Sequence, residues 1–189
     1  MLFYIFVFIG TIISFTLGLT VGTRFFGVTE GQVFRVGFFA IVFLLIIDAT
    51  VALIVRSLPK KLMSPSLKRF KVFSWEQKVL VRLGIRKWKD KIPEAGGVLV
   101  GFSKREVQDK SNPEYLLHFI SETIYAEVMH FWSIIFSCLV FIYKPAEFWI
   151  VYLPLFLTNF LINFLPIMVQ RYNRPKLMKA YERATRKLG

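Results

Sequence analysis

Four long apolar segments alternate with short basic ones along this chain, and this alternation constrains the fold more than any other feature. The segments 1–21, 34–55, 124–143 and 148–169 each have about the 20 residues that an α-helix needs to cross a bilayer. With 55% hydrophobic residues, the chain is too apolar for a soluble domain. We therefore predict an all-α integral membrane protein in which residues 1–189 form a single membrane domain with four transmembrane helices.

The basic residues are concentrated between the second and third predicted spans. The chain carries a net charge of +13, and more than half of its lysines and arginines lie in residues 56–112. By the positive-inside rule, residues 56–123 are predicted to be a cytoplasmic segment and residues 170–189 a cytoplasmic tail. Both termini are then cytoplasmic, and the protein is predicted to reside in the cell membrane. Because the basic residues alternate with segments that can span a bilayer, nucleic acid is not predicted as a partner.

The basic segment contains short amphipathic pieces, which we predict to lie along the inner leaflet. Ser74 and Gln77 are predicted to form a capping box that opens one such helix. Elsewhere, Gly22 to Val33 is predicted to be a loop between the first two spans, and Lys144 to Glu147 a tight turn between the last two. Cys138, within an apolar run, is predicted to be a small buried residue.

Polar residues inside the apolar segments are the next informative feature, because they cost free energy in lipid and usually face other helices. Asp48 lies in the second span, where it is predicted to pair with a polar group of a neighbouring helix; a proton or cation site is the alternative. Asn159, Asn163 and Gln170 form a polar stripe on the fourth span. Such amides usually hydrogen-bond to another helix, although Asn163 is also a candidate for contacting a sugar.

Three titratable side chains lie together in one predicted helix, which Asn112 is expected to cap with Pro113 in its first position. Glu127 and His130 are i,i+3 neighbours, and Glu122 precedes His130 by about two turns. If the helix enters the membrane near residue 124, His130 lies roughly 9 Å below the cytoplasmic boundary at about 1.5 Å per residue. An amphiphile's head group can reach that depth.

Three stretches of the chain resemble one protein family: IRKWKDKIPE at Ile85 to Glu94, ETIYAEVMHFW at Glu122 to Trp132, and VQRYNRPKL at Val169 to Leu177. The resemblance is to the bacterial glycosyl-diaponeurosporenoate acyltransferases of staphyloxanthin-type carotenoid biosynthesis, and it covers most of the chain from about residue 55 onward. It implies the transfer of a fatty acyl group to the primary hydroxyl of a glucose on a membrane-dissolved carotenoid acid. The matching positions are Lys87, Trp88, Lys89, Glu122, Ala126, Glu127, His130, Arg171, Tyr172, Asn173, Arg174 and Pro175. Of these, Trp88 and Tyr172 are also predicted to bind substrate.

Acyl transfer to a hydroxyl requires a base, a group that orients the base, and donors for the oxyanion. We predict that His130 is the base and that Glu127 or Glu122 orients its ring. No serine with elbow glycines is visible, which favours direct attack by the acceptor hydroxyl. Several basic and amide side chains are predicted to bind the phosphate of an acyl-CoA or acyl-carrier co-substrate: Lys87, Lys89, Arg171, Asn173 and Arg174. No further cofactor is expected.

Two alternatives remain. Glu-x-x-His also occurs in carboxylate-bridged di-metal bundles, but those need the motif twice, and His118 is the only other histidine in the chain, so no metal is predicted. The second alternative is a non-enzymatic membrane protein that binds or scaffolds lipids or partner helices, its buried polar groups serving only to hold the bundle together. His118 has no counterpart in the family pattern. The sequence leaves the oligomeric state open.

Overall fold

The structure, a computed structural model, describes residues 2–92, 109, 111–142 and 146–187. Within these ranges every regular element is a helix, and no strand occurs, so the predicted all-helical class is confirmed. The predicted turn at Lys144 to Glu147 lies largely outside the described residues. The same is true of the part of the basic segment that contains Lys104, Arg105 and Lys110.

Seven α-helices follow one another in the part of the chain that the structure describes. They are α1 Leu2–Leu17, α2 Thr23–Phe26, α3 Glu30–Ser57, α4 Ser74–Arg82, α5 Ile85–Trp88, α6 Pro113–Ser137 and α7 Trp149–Arg186. A π-helical turn, Gly18–Gly22, joins α1 to α2, and short 3-10 helices occupy several of the connections.

Among the described residues, four helical stretches are long and apolar enough to cross a membrane: Tyr4–Phe26, Glu30–Ser57, Pro113–Phe141 and Trp149–Arg186. Their number agrees with the predicted four spans, and the architecture is consistent with a multi-pass membrane protein. The last of them has 38 residues, so its helix continues without interruption into the segment predicted as the cytoplasmic tail.

The chain divides into two compact units, which we describe separately. The first, here called the span unit, comprises Met1–Val55 and Met129–Phe164. Its core consists mainly of small and β-branched side chains of α3. These pack against residues that lie just before α7 and in the first turns of α7. Val33 and Val151 are fully buried in this core. Gly18 lies against both valines, which allows the backbone of the π-helical turn to approach them closely.

The second unit, here called the basic unit, comprises Arg56–Val128 and Leu165–Gly189. Ile85 at the start of α5 is fully buried and packs with Leu80 and Tyr172. By contrast, Trp75 of α4 and Leu83, which follows the helix, are exposed. An exposed apolar face beside basic residues is the composition of a helix that lies on a membrane surface, and this orientation stays a prediction.

Three local predictions need correction. The link between the first two spans is only Gly27 to Thr29, not Gly22 to Val33, because Thr29 and Gln32 cap each other and start α3 early. Cys138 is exposed rather than buried, since it lies on an outward face of its helical segment.

The predicted capping box at Ser74 and Gln77 is also wrong by one residue. The cap position is Phe73, whose backbone N–H donates to Oε1 of Glu76 at 3.0 Å. A phenylalanine side chain has no acceptor, so only this half of the box forms. The predicted cap of α6 is confirmed, because Oδ1 of Asn112 accepts the backbone N–H groups of Glu114 and Tyr115.

The close approach at Gly18 predicts a specific sensitivity to added volume. In Gly18→Ala, the new Cβ would lie 2.6 Å from Val33 Cγ1 and 2.9 Å from Val151 Cγ2. Because stiff valines cannot yield freely, we expect a loss of about 1–3 kcal/mol of stability, measured by unfolding in detergent. The matched control is Gly31→Ala, where nothing lies within 4 Å. Equal stabilities of the two variants would contradict this packing.

Candidate functional site

His130 lies on α6, in the part of that helix that belongs to the span unit. Its ring nitrogen Nδ1 is 2.8 Å from Oδ1 of Asn163 on α7. Asn163 is almost fully buried. The hydrogen bond therefore joins the half-buried imidazole to a buried amide.

The orientation of the Asn163 amide follows from its other neighbours. Its nitrogen Nδ2 lies 2.8 Å from Oδ1 of Asn159, 3.0 Å from the Asn159 carbonyl oxygen and 3.4 Å from Oδ1 of Asp48. All three are acceptors, so the NH2 group must face them and Oδ1 must face His130. Because that oxygen can only accept, Nδ1 of His130 carries a proton. In the neutral ring, Nε2 is then the acceptor.

Asp48 on α3 thus meets the polar group on a neighbouring span that the sequence predicted for it. The partner is Asn163, with a long bond of 3.4 Å, and the side chains of Ser133 and Asn159 also lie near the carboxylate. We call Asp48, His130, Ser133, Asn159 and Asn163 the imidazole cluster. Asn163 and Asn159 of the predicted polar stripe therefore make the helix-to-helix contacts that buried amides favour.

Asn159 leaves one polar atom of the cluster unsatisfied. Its Nδ2 is buried and makes no well-aligned hydrogen bond within the described part of the chain, although the side chain lies near the Asp48 carboxylate. A buried donor without an acceptor costs roughly 1–3 kcal/mol, and such groups often mark functional positions.

Glu127 belongs to the basic unit and is bound by two arginines of α7. Its Oε1 accepts from Nη1 of Arg171 at 2.6 Å. Its Oε2 lies 2.5 Å from Nη2 of Arg174, an ion pair without the alignment of a hydrogen bond. Arg171 also pairs with Glu76 of α4. We call Glu76, Thr123, Glu127, Arg171 and Arg174 the arginine cluster.

The guanidinium groups of this cluster are occupied by the protein itself. Arg174 is buried and donates to Thr123 Oγ1, the Thr123 carbonyl and the Phe70 carbonyl. Arg171 donates to both oxygens of Glu76 and to the Lys71 carbonyl. A phosphate at either arginine would have to compete with these partners.

Glu122, the third acid considered as a catalytic group, forms a bidentate ion pair with Arg56. The two bonds measure 2.8 and 2.7 Å, and Glu122 is buried. The Arg56 guanidinium also stacks over the ring of Tyr125, whose hydroxyl donates to the Leu58 carbonyl. This geometry fixes the end of α3 against α6 within the basic unit.

The other predicted binding residues lie elsewhere in the basic unit. Lys87 is exposed, Trp88 Nε1 donates to the Leu83 carbonyl, and Lys89 pairs with Asp90. The hydroxyl of buried Tyr172 accepts from Nε of Arg86 at 3.2 Å. Asn173 is half-buried.

Sequence reasoning missed Glu76 and Thr123, although both contact a residue that it had singled out. Glu76 could have been found as one of few acids in a strongly basic segment. Among the residues that the structure describes, no group of three histidine, cysteine, aspartate or glutamate side chains is arranged to hold a metal ion.

The fold and the two clusters define a helical protein, consistent with a multi-pass membrane protein, that carries a half-buried imidazole hydrogen-bonded to a buried amide. The comparisons then assign the family. The profile described as Glycosyl-4,4'-diaponeurosporenoate acyltransferase matches residues 66–183, which is more than half of the chain, and the chain belongs to that family. No curated protein and no solved structure matches it.

The arginine cluster predicts how stability depends on pH. Burial opposes ionisation of Glu76, but hydrogen bonds from Arg171 and from the Phe73 backbone outweigh it and hold the pKa of Glu76 below its ordinary value. Because the folded-state pKa is the lower one, the stabilisation is present above the unfolded pKa of about 4.3 and is lost as pH falls through the folded value.

We therefore expect Glu76→Gln to destabilise the protein at neutral pH and to differ progressively less from the wild type below about pH 4. Unfolding in detergent as a function of pH measures this difference. Glu182→Gln, which removes an exposed acid of α7, is the matched control and should show no such convergence. A loss of stability in Glu76→Gln that stays the same at every pH would contradict the ion pair.

Proposed function

We propose that the protein is a membrane O-acyltransferase that moves a fatty acyl group onto a sugar hydroxyl of a membrane-embedded glycolipid. Its family is named for a glycosylated carotenoid acceptor, which makes such a glycolipid the first substrate to test. The observation that carries the proposal is the hydrogen bond between Nδ1 of His130 and Asn163, because it leaves Nε2 as the basic nitrogen.

In the proposed reaction, Nε2 of His130 takes the proton of the acceptor hydroxyl as its oxygen attacks the acyl carbonyl carbon. A carbon–oxygen bond forms, the carbon–sulfur bond of the acyl thioester breaks, and the leaving thiolate receives the proton from the imidazolium. Acyl-CoA or an acyl carrier supplies the thioester, and no further cofactor takes part. Direct transfer needs no covalent acyl-enzyme.

Asn163 and Asp48 act in this proposal as positioning residues. Asn163 holds the imidazole in the required tautomer, a role that resembles the orienting residue of a catalytic triad. Asp48 accepts from the Asn163 amide and favours the same orientation. This chain of contacts replaces the orienting role that the sequence suggested for Glu127 or Glu122.

Glu127 and Glu122 take a different role in the proposal. Their ion pairs with Arg171, Arg174 and Arg56 hold α6 against its neighbours within the basic unit. With these arginines occupied, exposed Lys87 is the best remaining site residue for the phosphate of an acyl-CoA, and Lys89 can join it by releasing Asp90. The exposed apolar face of α4 supports placing this binding at the membrane surface.

A second function is favoured by one specific observation. Glu122 and Arg174 are buried and internally paired, as expected of groups that only hold a helix bundle together. The alternative is therefore a non-enzymatic protein that binds or scaffolds lipids or partner helices. Lipid mass spectrometry separates the two functions, because only an enzyme produces lipids that carry one additional acyl chain.

We expect His130→Ala to lower acyl transfer by about 100-fold or more, the range that a positioned general base contributes. Transfer is measured with labelled acyl-CoA and a glycolipid acceptor in membranes containing equal amounts of folded protein. His118→Ala is the matched control, since His118 is an exposed histidine on the same helix. Equal turnover by wild type and His130→Ala would remove His130 from the mechanism. If neither the wild type nor any variant forms an acylated product, the scaffolding function is favoured.

A further inference from the structure

The span unit contains a cavity of about 680 Å³ that the proposed reaction does not use. This volume lies within the range of about 300–1,000 Å³ that is typical of ligand sites. Its walls are mainly apolar side chains of α3, including Phe39, Phe43 and Ile46. We call it the α3 groove.

The length of the groove matches one leaflet of a bilayer. Along α3 the lining residues run from Gln32 to Ile46, which corresponds to about 21 Å at roughly 1.5 Å per residue. Half of a hydrocarbon core of about 30 Å is about 15 Å, so the groove has room for an acyl chain and the head group above it.

The polar groups at one end of the groove present hydrogen-bond donors. Oε1 of Gln32 accepts from the backbone N–H and the hydroxyl of Thr29, which leaves the amide NH2 as the remaining polar group. Arg35, one turn further along α3, is exposed and makes no ion pair with any residue that the structure describes. An amide NH2 and a guanidinium together suit an acceptor-only, negatively charged group.

Other features of this end agree with an anionic ligand. Gln32 and Arg35 lie near the N-terminal end of α3, where the helix dipole favours negative charge. Glu30, the acid in the first turn, is not among the residues that line the groove.

We propose that the α3 groove binds an anionic phospholipid of the surrounding bilayer, with one acyl chain along Phe39 and Phe43 and the phosphate at Arg35 and Gln32. Its phosphate-binding end at Gln32 and Arg35 lies before residue 66, outside the stretch matched by the family, and the site is independent of the proposed acyl transfer. Binding in this groove would give the span unit a preference for anionic lipids, which its apolar surface alone does not provide.

Native mass spectrometry of the delipidated full chain, titrated with phosphatidylglycerol or with phosphatidylcholine of the same acyl chains, tests this site. We expect the wild type to prefer phosphatidylglycerol and Arg35→Gln to weaken phosphatidylglycerol binding about tenfold, the loss expected for one charge-assisted contact. The matched control is Arg24→Gln, which removes another exposed arginine that does not line the groove. This control should bind like the wild type.

A second pair of variants tests the groove itself. Val42→Trp fills it, since Val42 is one of the lining residues, and should abolish the preference for phosphatidylglycerol. Leu45→Trp, at an exposed position of the same helix outside the lining, should retain it. The proposal is overturned by equal binding of both lipids, by equal effects of Arg35→Gln and Arg24→Gln, or by a long-chain fatty acid occupying the site in place of phosphatidylglycerol.

Discussion

The arrangement of the span unit depends on one constraint: polar groups buried among apolar helices must be paired with one another. Asn163 meets this constraint for two other helices at once. Its NH2 group faces Asp48 of α3, and its oxygen faces His130 of α6. Because an amide has distinct donor and acceptor ends, satisfying the carboxylate also determines which nitrogen of the imidazole is protonated.

The helical class and the number of long apolar helices could be predicted from the sequence, because both follow from segment length and composition. The same reasoning identified Asp48, Asn159 and Asn163 as residues that need partners. It could not identify the partners. Asp48 and Asn163 are 115 positions apart, and which faces of α3, α6 and α7 meet depends on packing that hydrophobicity does not encode.

The role of Glu127 shows a different limit. Its i,i+3 spacing to His130 suggested that the carboxylate orients the imidazole. In the structure Glu127 binds Arg171 and Arg174, which are full positive charges in a partly buried setting. The attraction between opposite full charges exceeds that between a carboxylate and a neutral ring, and it grows as water is excluded. Nothing in the local sequence shows that two arginines more than 40 residues away reach the carboxylate.

The proposed function depends on His130 carrying its proton on Nδ1, where Asn163 holds it. Nitrogen-15 NMR of histidine-labelled protein in lipid bilayers measures this directly, with His118→Ala used to assign the two histidines. We predict a neutral His130 ring protonated at Nδ1 in the wild type and a mixture of tautomers in Asn163→Ala. A wild-type ring protonated at Nε2, or a tautomer unchanged by Asn163→Ala, would contradict the account.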